Sequence, residues 1–260
     1  MRFKVLGLFE VFNGPRTCTP SAPKVRQLLA ALVLRANHVV GQDDLIDEIW
    51  GADAPMSAVT TLQTYVYHLR KILQREFGRA EADRMVVTKP PGYLLSVDER
   101  QVDLFEFNRL FDEGRAALAN DDPRGAADRL RSALAMWNGA PLANVTCGSL
   151  LETYVAHLAE KRTTALEMRV AADVRLGRCR ELVPELKMLV KAHPFNEWLY
   201  SQLIIALRES GRRAEALDAY QEVRGHLKDE LGLDPSRDLQ RTHQDVLTSD
   251  EWPSSMRSVS

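Results

Sequence analysis

Residues Ser57–Phe77 read SAVTTLQTYVYHLRKILQREF, and the way this stretch sorts its side chains decides the rest of the fold. At about 100° per residue, Val59, Leu62, Val66, Leu69 and Leu73 gather on one stripe that must face a core. Ser57, Thr60, Thr61, Thr64, Tyr67, His68, Lys71 and Arg75 fall on the opposite face. No carboxylate interrupts that outer face before Glu76, which is unusual in a chain with 34 Lys+Arg and 36 Asp+Glu. Hydroxyls stand toward one end and cations toward the other. These are the groups that read base edges and hold phosphates in a major groove. An ordinary solvated helix face has the same ingredients, and the helix alone does not choose between the two readings.

Its flanks choose. Ser57 is placed to cap the helix and Gly78 to stop it. Upstream, Gly51-Ala52-Asp53-Ala54-Pro55 breaks the chain after a short helix, Gln42–Trp50. That helix is opened by Asp43 and Asp44 near its positive end and buries Leu45, Ile46, Ile49 and Trp50. Before it, a helix from about Ala22 to Ala36 repeats Val25, Leu28, Leu29, Leu32 and Val33 at three-and-four spacing. Met1 to Asn13 fits a small antiparallel sheet turning at Gly7 or at Asn13-Gly14-Pro15. Downstream, Met85–Thr88 and Tyr93–Val97 are short strands joined by Lys89-Pro90-Pro91-Gly92, so the long helix is expected to run directly into a hairpin. Three helices followed by a hairpin make a winged helix.

The run Thr61–Leu73, with Leu45-Ile46-Asp47-Glu48-Ile49-Trp50-Gly51 before it and Gly92-Tyr93-Leu94 after it, resembles the OmpR-type winged-helix DNA-binding domain. The resemblance implies that the long helix enters the major groove of double-stranded promoter DNA. Thr60, Thr64, Tyr67 and His68 would lie nearest the bases, with Thr61 beside them, and Arg70, Lys71 and Arg75 nearest phosphates. The wing, Thr88 to Tyr93, would reach the minor groove or adjacent backbone, with Lys89 as its cation and Thr88 as a phosphate donor. Two departures stand out: His68 occupies a place where relatives commonly carry a base-reading arginine, and Lys89-Pro90-Pro91-Gly92 is stiffer than the usual wing turn. In relatives the loop after the second helix faces RNA polymerase, through the sigma factor or the α-subunit's C-terminal domain, which marks Glu48 and Asp53 as polymerase contacts. A plain connector is the alternative for that loop. Such domains bind direct repeats, so a tandem dimer on DNA is expected, about one helical turn between half-sites. The winged helix starts at the first residue, so no receiver domain is expected before it.

From Val102 the strand signals vanish and helices follow one another. Gly177-Arg178-Cys179-Arg180-Glu181-Leu182 matches Gly211-Arg212-Arg213-Ala214-Glu215-Ala216 at a separation of 34 residues, the tetratricopeptide period. A third copy around Ala126–Leu130 sits farther away because Asn138 to Gly148 is inserted. Trp137-Asn138-Gly139-Ala140-Pro141-Leu142, His193-Pro194, Leu203–Arg212, Ala216-Leu217 and Glu230–Pro235 resemble the bacterial transcriptional activation domain. A winged helix joined to that domain is similar to the SARP family, the Streptomyces antibiotic regulatory proteins. The fold class implied is mainly α: an N-terminal winged helix-turn-helix with small β-sheets over 1–98, a tetratricopeptide-like all-α domain over 102–248, and a flexible tail over 249–260. The function implied is a pathway-specific transcriptional activator of an antibiotic or other secondary-metabolite gene cluster.

Composition bounds the alternatives. With 45% hydrophobic and 27% charged residues the chain is globular, and its longest apolar run, Leu28 to Leu34, is too short to cross a bilayer. No signal-peptide core is present, so a cytoplasmic protein is expected. Cys18, Cys147 and Cys179 lack paired spacing, and the six histidines are scattered, so neither a metal nor another cofactor is expected. There is no glycine-rich phosphate loop, HExxH or nucleophile elbow, which argues against an enzyme. Charge is nearly silent: residues 1–100 hold 13 Lys+Arg against 11 Asp+Glu, and the remainder 21 against 25. A pure repeat scaffold is the other function class, and it leaves the first hundred residues without a role.

Overall fold

The computed structural model describes residues 1–248, and the tail expected over 249–260 lies outside the described residues. In chain order the elements are β1 (Arg2–Lys4), β2 (Glu10–Asn13), β3 (Arg16–Thr17), α1 (Pro23–Leu34), β4 (Val39–Gly41), α2 (Gln42–Trp50), α3 (Ala58–Phe77), α4 (Arg79–Met85), β5 (Val86–Lys89) and β6 (Gly92–Leu95). The helices α5 (Asp103–Ala119), α6 (Pro123–Ala135), α7 (Ser149–Arg175), α8 (Cys179–Ala192), α9 (Glu197–Glu209), α10 (Arg213–Leu231) and α11 (Arg237–Thr248) follow. This is the mainly α class with small N-terminal sheets that the sequence implies. Packing divides it into two compact units, Met1–Ala116 with Asp128–Leu166, and Ala117–Ala127 with the residues from Glu167 onward. The change of sequence pattern at 98–102 is therefore not where packing changes.

In the first unit, β1, β2 and β3 form one antiparallel sheet, with Phe3 opposite Val11 and Phe12 opposite Thr17. Both expected turns are used, one around Gly7 and one at Asn13–Pro15. Proline at its first turn starts α1, which is buried on every side from Gln27 to Leu34 because core surrounds it. The second sheet has the order β4-β6-β5, so the wing hairpin gains a third strand that the sequence pattern did not signal. Helix α3 does not run straight into that hairpin. Gly78 ends it, and the short α4 buries Ala82 and Met85 before β5 begins. Ser57 sits at the cap position of α3 but makes no side-chain capping bond.

The residues that follow the wing are built into the same unit. Phe3 bridges to Val102, and the Asp103 carboxylate accepts from the backbone N–H of Val5 at 2.9 Å and of Leu6 at 3.3 Å. The Asn138–Gly148 insertion lies along the segment Val5–Phe9: Asn138 N–H donates to Leu6 O at 2.8 Å and Ala143 N–H to Gly7 O at 3.2 Å. Asn144 completes the ladder with its side chain, accepting from Phe9 N–H at 2.7 Å and donating to Phe9 O at 3.2 Å. Arg26 of α1 donates to the Asn144 carbonyl at 3.0 Å. Each buried backbone group here finds a partner that a free loop would have given to water. Trp137 meets Phe107 edge-on at 5.3 Å below this seam.

Burial pushes the Asp103 carboxyl up from 3.8 to about 6, against the pull of the Val5, Leu6 and Leu104 backbone N–H groups and of Lys4. The folded chain thus holds this proton more tightly than the unfolded one. Its contribution to stability is fully present below about pH 4 and is lost as pH rises through about 6. Denaturant titrations should show the native chain losing stability relative to an Asp103→Asn variant over that window. A pH-independent difference between the two would count against the assignment.

In the second unit, helix pairs repeat as the 34-residue period requires. Helix α8 starts at Cys179 and α10 at Arg213, and both follow the same turn: Gly177 at φ 72° and Gly211 at φ 76°. In each, the next residue's N–H reaches back five positions, Arg178 to Asp173 O at 3.0 Å and Arg212 to Leu207 O at 2.9 Å. Asp121, at φ 58°, makes the third copy, with Asp122 N–H on Ala117 O at 2.8 Å. Helix α9 packs on α8, α10 and α11. An ion cluster ties α7 to α8: buried Arg169 forks onto Glu185 at 2.8 and 2.5 Å, and buried Asp173 receives Arg178 at 2.9 Å.

Candidate nucleic-acid interface

Helix α3 separates its faces as the sequence arrangement demands. Leu62, Val66, Leu69 and Leu73 are buried, while Thr60, Gln63, Thr64, Tyr67, His68, Lys71 and Arg75 are exposed and Thr61 is half-buried. Val59 departs from the expected stripe and is 41% exposed. It lies about 60° around the helix from Leu62, whereas Ala58 is only about 40° away and takes the first inward position. Trp50 at the end of α2 stacks on Tyr65 of α3 at 5.8 Å and 16°, which fixes the crossing of the two helices.

The hydroxyls of the outer face are already half committed. Thr61 Oγ1 donates to Ser57 O at 2.9 Å and Thr64 Oγ1 to Thr60 O at 3.0 Å. With the protons held by the helix backbone, the outward lone pairs are left to accept from base amino groups. Lys71 Nζ lies 5.5 Å from the centroid of the Tyr67 ring, which steadies the ammonium over the face. Arg75 is 86% exposed and its one carboxylate neighbour is Glu76 at 3.4 Å. Such surface pairs contribute about 0–1 kcal/mol and exchange readily for a phosphate. His68, Lys71 and Arg75 line one side of a groove whose other wall is Thr17–Ala22.

On the wing, Thr88 and Lys89 are exposed at the end of β5, and Lys89 pairs with Gly92 across a turn made of Pro90 and Pro91, joined by a cis peptide bond. Gly92 is pressed against β4: a Cβ there would stand 1.8 Å from Val40 O.

Arg70 does not stand with Lys71 and Arg75. Its guanidinium turns toward the wing, with Nε and Nη2 donating to Val86 O at 3.0 and 2.8 Å and Nη2 to Thr88 Oγ1 at 2.8 Å. Arg70, expected near a phosphate, thus lies one position past Leu69, on the flank of α3 that meets β5.

Glu48 is also corrected. Expected at the polymerase-facing surface, it is 2% exposed. Its Oε1 accepts from Gln27 Nε2 at 2.8 Å and Gly148 N–H at 2.7 Å, and its Oε2 from Leu151 N–H at 3.0 Å. Beside it, Asp47 accepts from Ser149 Oγ at 2.7 Å. Glu48 therefore holds free backbone N–H groups that open α7, and Asp47 holds the hydroxyl of its first residue. Asp53 stays exposed in the loop after α2, and Met56 in the same loop is fully exposed. Neither Gln27 nor the Gly148–Leu151 turn was singled out from the sequence.

Among the described residues, no group of His, Cys, Asp and Glu could hold a metal ion, and no helix is long and apolar enough to cross a membrane. All three cysteines are free thiols.

Comparison with known proteins finds transcriptional regulators over both parts of the chain. Residues 102–247 match the bacterial transcriptional activator domain, and residues 17–95 match the transcriptional regulatory protein, C-terminal, family. The regulatory protein DnrI of Streptomyces peucetius is 39% identical over 96% of this chain and 93% of its own length. The regulatory protein AfsR of Streptomyces coelicolor is 37% identical over 96% of this chain, which spans only 24% of AfsR. A structure of Mycobacterium tuberculosis EmbR, in complex with a low-affinity phosphopeptide, superimposes with a TM-score of 0.86 at 32% identity, covering 95% of this chain and 64% of that one. A bare repeat scaffold would leave the match over 17–95 without an explanation.

Proposed function

Since the chain belongs to the SARP family of transcriptional regulators, we propose that it activates transcription of an antibiotic or other secondary-metabolite gene cluster by binding direct repeats at a promoter. In this reading α3 lies in the major groove. Thr60, Thr61, Thr64, Tyr67 and His68 face the bases, Lys71 and Arg75 hold phosphates, and Thr88 and Lys89 of the wing touch the neighbouring backbone or minor groove. Two protomers sit in tandem on adjacent half-sites. Polymerase is recruited through the loop after α2, where Asp53 and Met56 are the accessible groups, with the sigma factor or the α-subunit's C-terminal domain as partner.

The observation that carries the reading is the outer face of α3, free of carboxylates over five turns and ending in two exposed cations, Lys71 and Arg75, across a groove from Thr17–Ala22. Each phosphate neutralised on duplex DNA releases counterions and adds about 0.9 to the slope of log affinity against log salt. Lys71→Ala and Arg75→Ala should each flatten that slope by about one unit. The measurement is a fluorescence-anisotropy titration of the full chain on promoter DNA from 50 to 300 mM salt, on the order of the range where such slopes are read. Unchanged affinity and slope in both variants would overturn the assignment of this face.

A further inference from the structure

Arg70 is the cation on α3 that the proposed function leaves unused, and its surroundings say what it does instead. β5 is the edge strand of the wing sheet, so no further strand supplies donors to its open side. Arg70 supplies them: two N–H groups on Val86 O and one on Thr88 Oγ1, all within 3.0 Å. A guanidinium is planar, with donors in a fixed fork, and a lysine ammonium cannot reproduce three such bonds from one position. The bonds join the element proposed for the major groove to the element proposed for the flanking backbone. Among the described residues, no other side chain of α3 hydrogen-bonds to β5 or β6.

Thr88 matters to the same geometry. A threonine hydroxyl has one proton and two lone pairs. Arg70 occupies a lone pair, so the proton is turned away from the guanidinium and toward solvent at the wing's end. Building on the DNA-binding reading above, we infer that Arg70 is a positioning residue. It sets the distance between α3 and the wing and aims the Thr88 hydroxyl at a phosphate, instead of contacting a phosphate itself. The rival is a direct phosphate contact through Nη1, which has no bond among the described residues.

The test uses the full chain and the duplex that the unaltered chain selects from a random pool. Three readouts are taken: deuterium exchange of Val86–Leu95 in the free protein, the salt slope of binding, and hydroxyl-radical protection on the DNA. Arg70→Lys should speed exchange in β5 about tenfold, weaken binding about tenfold, and erase protection on the wing side while keeping that under α3, with the salt slope lowered by no more than the about 0.9 that Lys89 contributes. Thr88→Val should erase the same wing-side protection, and Thr88→Ser should restore it. That pair decides the matter if Arg70→Lys fails to fold. The inference is overturned if Arg70→Lys binds and exchanges like the unaltered chain while Arg70→Ala flattens the slope by about 0.9. It is overturned equally if Thr88→Val keeps its wing-side protection. A chain that selects no duplex at all sinks the DNA-binding reading itself and this inference with it.

Discussion

Replacing Glu48 by alanine is expected to destabilise the chain by about 3–5 kcal/mol, since each buried donor stripped of its acceptor costs about 1–3 kcal/mol. The backbone N–H groups of Gly148 and Leu151 lose theirs, and the Gln27 amide loses one of two, keeping the Glu48 carbonyl. At a site 2% exposed, the groups left behind are shielded from solvent. For a protein of this size the melting temperature should fall by about 10 °C. Glu48→Gln keeps the shape and one acceptor oxygen, so it should lose roughly a third as much. A thermal melt of both variants reads this directly, and a Glu48→Ala protein that melts with the native chain would mean that α7 is not held through α2. Because the carboxylate is internal, neutralising it says nothing about polymerase. Asp53 is the loop residue whose neutralisation addresses that contact.

Gly92→Ala is the second large effect. Its methyl would stand 1.8 Å from Val40 O and 2.8 Å from Val40 C, and both are strand backbone that no rotamer change can move aside. The partners to be separated are β4 and β6, paired through Val40 with Tyr93 and Gly41 with Gly92. A cost of about 3 kcal/mol or more is expected, above the usual range for overpacking by a methyl because the obstacle is backbone. Amide exchange over Val39–Gly41 and Gly92–Leu95 should accelerate far more than exchange in α1. Native-like protection in β4 would refute the close approach. Because β6 also carries the wing, loss of β4 should weaken DNA binding even though Gly92 contributes no side chain to it.

How much of this could be read from residues alone follows from the range of the interactions involved. Periodicity is local, and it yielded α1, α2, α3, the wing strands and the 34-residue recurrence of Gly177 and Gly211. Helix α4 escaped because Arg79–Met85 is too short to show a period, and Met85, apolar and next to Val86, reads equally well as strand. β4 escaped because three residues, Val39–Gly41, are defined by their partner β6, 51 to 55 positions later. Glu48 is different. Leu45, Glu48 and Ile49 stand at three-and-four spacing, so the pattern did place Glu48 inward. Its charge argued the other way, and only the distant amides of Gly148 and Leu151 resolve the conflict. Arg70 likewise lies between the two faces of α3, and nothing in the helix reveals that Val86 O is within reach. On the candidate site, the exposed face of α3 was legible apart from Val59 and the half-buried Thr61, while the partners that engage Arg70 and Glu48 were not.

The ladder between Val5–Phe9 and Asn138–Ala143 also bears on how such regulators can be recombined. Two family models meet near residue 100, and a chimaera built there looks natural from sequence alone. That junction would part Asp103 from the amides of Val5 and Leu6, Asn144 from Phe9, and the start of α7 from Glu48. The graft would then have to match its new host at three foreign seams. The smallest piece that keeps these three seams runs to about Leu166, although a cut there crosses α7 and parts residues 117–127 from the unit they belong to. On the proposed DNA-binding reading, promoter choice and nearly half of the activator-domain match, residues 102–166 of 102–247, are thus inherited together.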